Sequence, residues 1–239
     1  MLCERCPLRE HSVVGTFLSR TDRQPRQSHS IRRFAKRQVV LREGEVTEGL
    51  YCIRSGLLKR SFGDPQGNRR IIEILGPGDL LGVGSISGKD SRTAEVATLG
   101  ASELCFFPRR DLSELVKGTP GLAVGLAVYA AERLACAERE LADLSLKSAR
   151  QRLANSLLDL GRRFGKRTPR GILLELPISR GELANLVGIA LATQSRLFHE
   201  LKKAGVVRTR GRMIMIMISK SDRLQEEDGQ KFDQDQRFI

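Results

Sequence analysis

The chain has 239 residues, of which 40% are hydrophobic, and this is enough apolar material to build two folded domains. Its 41 lysines and arginines outnumber 28 aspartates and glutamates, and the net charge of +13 points to a polyanionic partner. No stretch resembles a signal peptide or a membrane span, and the five cysteines are an odd number, so we expect a cytoplasmic protein without a disulfide scaffold. Aromatic residues make up only 5% of the chain, which favours duplex DNA over single strands as the partner.

Residues 1–18 form a leader that contains Cys3 and Cys6, separated by two residues. Two thiols at that spacing can reach one metal centre, although one such pair is a weak signal. A polar, arginine-rich stretch from Ser19 to Arg37 follows the leader.

Short apolar runs separated by glycine turns fill the next part of the chain. The turns come too often for helices, so they predict a small antiparallel roll or barrel within residues 19–120. The predicted strands are Gln38–Leu41, Leu50–Arg54, Leu57–Phe62, Arg70–Leu75, Ala94–Leu99 and Glu103–Pro108.

Residues 121–147 are predicted to form one long helix that ends in a hinge. Leu134 and Leu141 are seven residues apart, as are Ala137 and Leu144, and this spacing predicts a narrow apolar seam. Either the same helix of a second copy or the chain's own β domain could cover such a seam. A second copy would make a symmetric dimer.

Residues 148–220 are predicted to form a DNA-binding module, and the tail, 221–239, is predicted to be disordered. After a helix from Ser148 to Phe164, Ser179 and Glu182 have the spacing of a capping box that starts a short helix, which ends at Gly188.

A second short helix is predicted to begin near Leu191 and to end at Ala204-Gly205. Two strands then turn at Arg210-Gly211-Arg212 and return as Met213–Ile218, the pattern of a wing. A plain helical hairpin in a protein core is the alternative. From Arg150 to Arg212, 14 lysines and arginines stand against 4 acidic residues, and this excess favours DNA.

Three motifs are shared with a known family: GLYCIRSGLLK from Gly49 to Lys59, GPGDLLG from Gly76 to Gly82, and the two short helices from Ser179 to Gly205. In this order they resemble the Crp/Fnr family of bacterial transcription regulators. The resemblance implies an α+β fold: a β-roll sensor domain, a dimerisation helix and a winged helix-turn-helix. It also implies a homodimer that binds an inverted repeat in double-stranded DNA and contacts RNA polymerase.

An enzyme is the rival class, and the sequence does not favour it. The histidines His11, His29 and His199 are scattered, and no phosphate-binding loop or paired-histidine metal motif is found. A ligand-binding regulator without DNA contact is a second rival.

In the resemblance, the segment after the GPGDLLG turn receives the effector. Gly82, Val83 and Gly84 stand where cyclic-nucleotide binders have a glutamate for the ribose, whereas Arg92-Thr93 matches the pair that holds the cyclic phosphate. Because the glutamate is missing, we rank a cyclic nucleotide below a redox signal.

Cys105 falls where the Fnr branch of the family has its distant cluster cysteine. The resemblance therefore implies a 4Fe–4S cluster with Cys3, Cys6 and Cys105 as ligands and with His11 or Cys52 as the fourth. The alternatives are a thiol redox switch, a zinc site, a small-molecule effector in the roll, and no sensor at all.

The resemblance places the second short helix in the major groove, with Arg196 on a guanine and Ser195 beside it. Ala192 stands where the family has a glutamate, so the half-site should differ, and Thr193 and Gln194 are further candidates for reading bases. The predicted phosphate contacts, whose alternative is a solvated basic face, are Ser179, Arg180, Lys202, Arg208, Arg210 and Arg212.

Overall fold

The computed structural model describes Cys6, Leu8 and residues 12–18, 29–87 and 94–217. The chain divides into two compact units, Met1–Leu146 and Lys147–Ile239. The sites predicted at Cys3, His11, Arg92 and Thr93, and the predicted disordered tail, lie outside the described residues.

Short antiparallel strands dominate the N-terminal unit. They are β1 Ser30–Phe34, β2 Val39–Leu41, β3 Gly49–Ser55, β4 Leu58–Gly63, β5 Arg69–Leu75, β6 Leu80–Leu81, β7 Glu95–Thr98 and β8 Ser102–Pro108. The first sheet has the order β1-β8-β3-β6 and the second has the order β2-β7-β4-β5. The predicted β roll is therefore confirmed, with two facing sheets.

The helices of the N-terminal unit are α1 Val13–Leu18, α2 Arg109–Gly118 and α3 Pro120–Leu146, and a 3-10 helix spans Val83–Ser87. Successive side chains of strand β3 point to opposite faces of the first sheet, and so they pack into two different core layers. Tyr51 and Ile53 pack with residues of the second sheet, whereas Leu50 and Cys52 pack with residues of the helices. The first sheet is thus covered on both faces.

The leader contributes more to the fold than its sequence indicates, since part of it is helix α1. Val14 is buried in the core under the helices, and the ring of Phe17 lies against Gly121 and Gly125 on α3. A Cβ at either glycine would come within 3 Å of that ring, so the close approach of α1 and α3 requires glycine.

The arginine-rich stretch also contains a strand, β1, that the sequence analysis missed. Arg32 on this strand packs against aromatic side chains. Its guanidinium lies over the ring of Phe106, 3.5 Å from the ring centre, and donates to the Tyr51 hydroxyl at 2.7 Å. The strand was not predicted because, in the sequence alone, an arginine that packs on aromatic rings cannot be distinguished from a solvent-exposed loop residue.

The C-terminal unit combines three helices with one sheet. Its elements are α4 Ala149–Phe164, β9 Lys166–Thr168, β10 Gly171–Glu175, α5 Arg180–Val187, α6 Leu191–Lys203, β11 Val207–Arg210 and β12 Met213–Met217. The predicted wing, β11 and β12, belongs to a four-stranded sheet of order β11-β12-β10-β9, of which the sequence analysis missed two strands. No helix within the described ranges has the length and apolar character to cross a bilayer.

Candidate nucleic-acid interface and sensor core

Local signals fix both ends of helix α5. The Ser179 hydroxyl accepts from the Glu182 amide at 3.1 Å, and the Glu182 carboxylate accepts from the Ser179 amide at 2.9 Å, as the capping box predicts. At the other end Gly188 adopts φ 73°, a left-handed conformation that favours glycine, and it closes the helix. Helix α6 begins three residues later.

Arg152 on helix α4 holds the turn between α5 and α6, and the sequence analysis did not single it out. Its guanidinium donates to the carbonyls of Val187 at 3.4 Å, Gly188 at 3.3 Å and Lys147 at 2.9 Å. These are among the carbonyls that the end of a helix leaves without an intrahelical partner, and a cation is favoured there. The sequence gives no signal for this role, because Arg152 and the carbonyls of Val187 and Gly188 are far apart in the chain.

Helix α6 has one buried side and one open side. Gln194, Leu197, Phe198 and Leu201 are buried in the unit. The outward positions are Leu191, Ala192, Ser195, Arg196, His199, Lys202 and Lys203. Arg196 is 74% exposed, with Glu200 at 4.0 Å along the same helix, so its guanidinium is accessible to a partner.

The structure contradicts the prediction that Gln194 reads bases. Its side chain is only 1% exposed, and its amide nitrogen has no hydrogen-bond partner. A side chain inside the unit cannot reach a base edge while α6 keeps its packing. Thr193, the residue before Gln194 and a further candidate for reading bases, is half-buried.

The residues predicted to contact phosphates lie at the surface of the C-terminal unit. They are Ser179, Arg180, Lys202, Arg208, Arg210 and Arg212. Arg180 also stacks over the ring of Phe198 at 4.3 Å, and this partial burial lowers the pKa of its guanidinium. The Ser179 hydroxyl is already engaged in the capping box. Contact of these groups with phosphate stays a prediction.

Two of the predicted metal ligands meet in the core of the N-terminal unit. Cys52 on β3 and Cys105 on β8 are directly opposite in register, are 6% and 7% exposed, and belong to the core under the helices. Burial raises the pKa of the Cys105 thiol, and the neighbouring charge of Cys6 raises it further. No disulfide joins the cysteines in the described part of the chain.

Thiols are the donors that iron–sulfur clusters take, so the chemistry of these residues fits such a group. Their placement does not complete a site, because the described residues hold no group of three histidine, cysteine, aspartate or glutamate side chains placed to bind a metal ion. The predicted ligands Cys3 and His11 are not among the described residues.

The predicted effector segment begins the 3-10 helix. Before it, the Asp79 carboxylate accepts from the Gly76 amide at 2.8 Å and closes the GPGDLLG turn. Val83 packs against the core that contains Cys52 and Cys105, whereas Gly84 is exposed and Gly82 is half-buried. The first side chain after the GPGDLLG turn therefore makes an apolar core contact.

A buried polar contact, which we call the roll–helix junction, joins helix α3 to the sheets through Arg60, Glu73, Leu80, Tyr129 and Arg133. Glu73 is 7% exposed and forms ion pairs with Arg60 at 3.3 Å and with Arg133. The Tyr129 hydroxyl accepts from the Leu80 amide at 2.9 Å, and burial is the main cause that raises its pKa to about 12. In the sequence, the one sign of this junction is that Glu73 interrupts the apolar run of β5.

Comparison with known proteins agrees with this architecture. The model of the cyclic nucleotide-binding domain matches residues 31–119, and that of the Crp-like helix-turn-helix domain matches residues 151–227. The chain belongs to the Crp/Fnr family. It is 34% identical over 169 residues to the cyclic AMP receptor protein of Thermus thermophilus, covering 71% of this chain and 75% of that protein.

One further relative and one solved structure extend the comparison. The fumarate and nitrate reduction regulatory protein of Escherichia coli is 30% identical, covering 76% of this chain and 72% of that protein. The structure of FixK2 from Bradyrhizobium japonicum superposes with a TM-score of 0.71 and 22% identity, covering 84% of this chain and 97% of that one. This Crp/Fnr protein is thus a transcription regulator with an effector-binding domain and a helix-turn-helix domain.

Proposed function

We propose that this Crp/Fnr regulator acts in the cytoplasm as a homodimer that binds an inverted repeat in double-stranded DNA. The accessible face of α6 carries the proposal: Arg196 points outward, and lysines and arginines surround it on the same unit. A guanidinium can bond O6 and N7 of guanine together, a geometry that the other bases do not offer. The surrounding cations supply sequence-independent affinity for the phosphates.

Helix α3 supports the homodimer. Its side chains Val124, Leu134 and Leu141 are 64%, 61% and 68% exposed in a single chain, and Leu144 is also exposed. Water contact of that extent is unfavourable for apolar side chains, and the seven-residue spacing suits a matching helix. A twofold dimer would present two copies of α6 to half-sites about 34–36 Å apart.

Selection from a library of random duplexes tests this function. We expect the protein to enrich an inverted repeat, to bind it as a dimer by light scattering, and to prefer it over a scrambled duplex at every salt concentration. Affinity for both duplexes should fall steeply as salt rises. Equal affinity for the selected and scrambled duplexes, under reducing and oxidising conditions alike, would contradict the proposal.

For the signal, we propose a redox response through Cys6 and Cys105, which rests on the electrostatic influence of Cys6 on Cys105 and on the family resemblance. Cys105 is buried and its pKa is raised, so its thiol is a poor nucleophile toward an oxidant. Cys6 is half-buried and has easier access to solvent. In the cluster form of this response, Cys3, Cys6 and Cys105 would hold the group, and binding it would deprotonate the Cys105 thiol.

Purification without oxygen tests the cluster form. Iron and sulfide counts with visible absorption that bleaches in air would support it, and Cys105→Ser should lose both. Cys136→Ser is the matched control, because Cys136 lies on α3 outside that core. A colourless protein whose DNA affinity is the same in air and under reductant would rule out the redox response.

A cyclic nucleotide is the second candidate signal, favoured by the matching family model and by the relative named for cyclic AMP. The core contact of Val83 speaks against it. Calorimetric titration with cyclic AMP and cyclic GMP decides: binding would support this candidate, and absence of heat with both nucleotides would exclude them.

A further inference from the structure

The first turn of helix α6 presents apolar side chains on its exposed side. Leu191 is 52% exposed, and Ala190 and Ala192 beside it are exposed as well. Ala190 occupies the position before the helix and provides no side-chain hydrogen bond to its amides. The exposed residues Ala190, Leu191 and Ala192 at this end of the helix therefore have no polar side chain, and the next residue, Thr193, is half-buried.

Ala192 and Arg196 share one face of α6, because residues four apart lie above one another on a helix. Both are exposed on that face. If the Arg196 guanidinium reaches a guanine, Ala192 lies one helical turn away, about 5–6 Å, which corresponds to a base pair one or two steps along the groove.

Neighbouring polar groups do not substitute for a polar side chain at position 192. The Ser195 hydroxyl donates to the Leu191 carbonyl at 3.0 Å, so its only proton is engaged within the helix. Gln194 is buried. Because Thr193 is half-buried, the exposed surface at this end of the helix is mainly the hydrocarbon of Leu191 and Ala192.

We infer that Leu191 and Ala192 recognise the C5 methyl group of a thymine next to the guanine contacted by Arg196. In the major groove thymine alone among the four bases presents a methyl group, and burying it against apolar side chains removes both from water. This inference rests on the proposed DNA-binding function and adds the base that its half-site should contain.

Replacing thymine by deoxyuridine tests the inference, since it deletes only the methyl group and keeps every base-pairing atom. On the selected inverted repeat, we expect substitution at the one thymine beside the guanine to weaken binding about fourfold in one half-site and about fifteenfold in both. Deoxyuridine at thymines elsewhere in the duplex should change affinity little. In a duplex with cytosine at that position, 5-methylcytosine should restore part of the lost affinity.

The protein variants complete the test. In Leu191→Ala, the ratio of thymine to deoxyuridine affinities should fall toward one, whereas Val46→Ala, which alters a 51% exposed valine of the N-terminal unit, should keep the wild-type ratio. Both positions are exposed, so the variants should fold, which circular dichroism checks. Specific binding that ignores the methyl group would overturn this inference alone, whereas failure to select any repeat would overturn the proposed function.

Discussion

The two units of the molecule use their charged residues in opposite ways. In the N-terminal unit, Glu73 is buried and paired with Arg60 and Arg133 at the roll–helix junction. In the C-terminal unit, Arg196 is 74% exposed, and its ion pair with Glu200 spans 4.0 Å. The first arrangement holds parts of one chain together, and the second leaves the cation accessible to another molecule.

This difference indicates which charges carry stability and which carry binding. A buried carboxylate that loses a partner is costly, because its charge stays out of water. An exposed guanidinium contributes little to folding. Substitution of Arg133 should therefore lower stability, whereas substitution of Arg196 should lower DNA affinity.

The largest effect is expected at the junction. Arg133→Ala should lower the free energy of unfolding of the N-terminal unit by about 3 kcal/mol, because the buried carboxylate of Glu73 loses a cation that pairs with it. Denaturant unfolding followed by circular dichroism measures this value. Arg33→Ala removes the surface pair with Glu103, in which Arg33 is 83% exposed, and should cost less than about 1 kcal/mol. Equal losses of stability in Arg133→Ala and Arg33→Ala would contradict the difference between buried and exposed ion pairs.

On the binding side, Arg196→Ala should weaken binding to the selected repeat by about 2 kcal/mol per half-site and leave the unfolding free energy nearly unchanged. Competition with scrambled duplex in a fluorescence anisotropy assay gives both affinities. Lys202→Ala, the matched control, should weaken both duplexes alike, because a phosphate contact does not depend on sequence. A parallel loss on both duplexes for Arg196→Ala would refute its role in reading bases.

A smaller effect concerns alkaline pH. The pKa of Tyr129 is raised to about 12 in the folded unit, so its proton stabilises the fold fully below pH 10, and this contribution is lost as pH rises toward 12. Between pH 10 and 12 the wild type should lose about 1–2 kcal/mol more stability than Tyr129→Phe. Parallel pH profiles for the two proteins would contradict the burial of this hydroxyl at the junction.

The smallest effect distinguishes burial from base reading at Gln194. Gln194→Leu removes an amide nitrogen that is buried without a partner, and it should raise the stability of the C-terminal unit by about 1 kcal/mol. Thermal melting measures the gain, and DNA selection should return the same half-site. A changed half-site with unchanged stability would show that Gln194 contacts bases and is not a buried residue.

Local chemistry explains which elements the sequence predicted well. Helices α5 and α6 were located because Ser179, Glu182 and Gly188 act within a few residues of one another. Strand β10 was missed because it pairs with β12, about 40 residues later in the chain, and β9 in turn pairs with β10. Their own sequences are too short to show a period.

At the candidate site, the outward position of Arg196 followed from helical spacing, but the inward position of Gln194 did not. Position 194 lies on the buried face that Leu197 and Leu201 define, although a polar residue such as glutamine is usually found at the surface. The opposition of Cys52 and Cys105 depends on the register between β3 and β8, which two separate stretches of sequence cannot specify.

The ring of Phe17 packs helix α1 against α3 at two glycines that lack side chains. Ions in solution screen charges but do not weaken hydrocarbon contacts of this kind. Salt at a concentration that releases the protein from DNA should therefore leave helix α1 packed against α3.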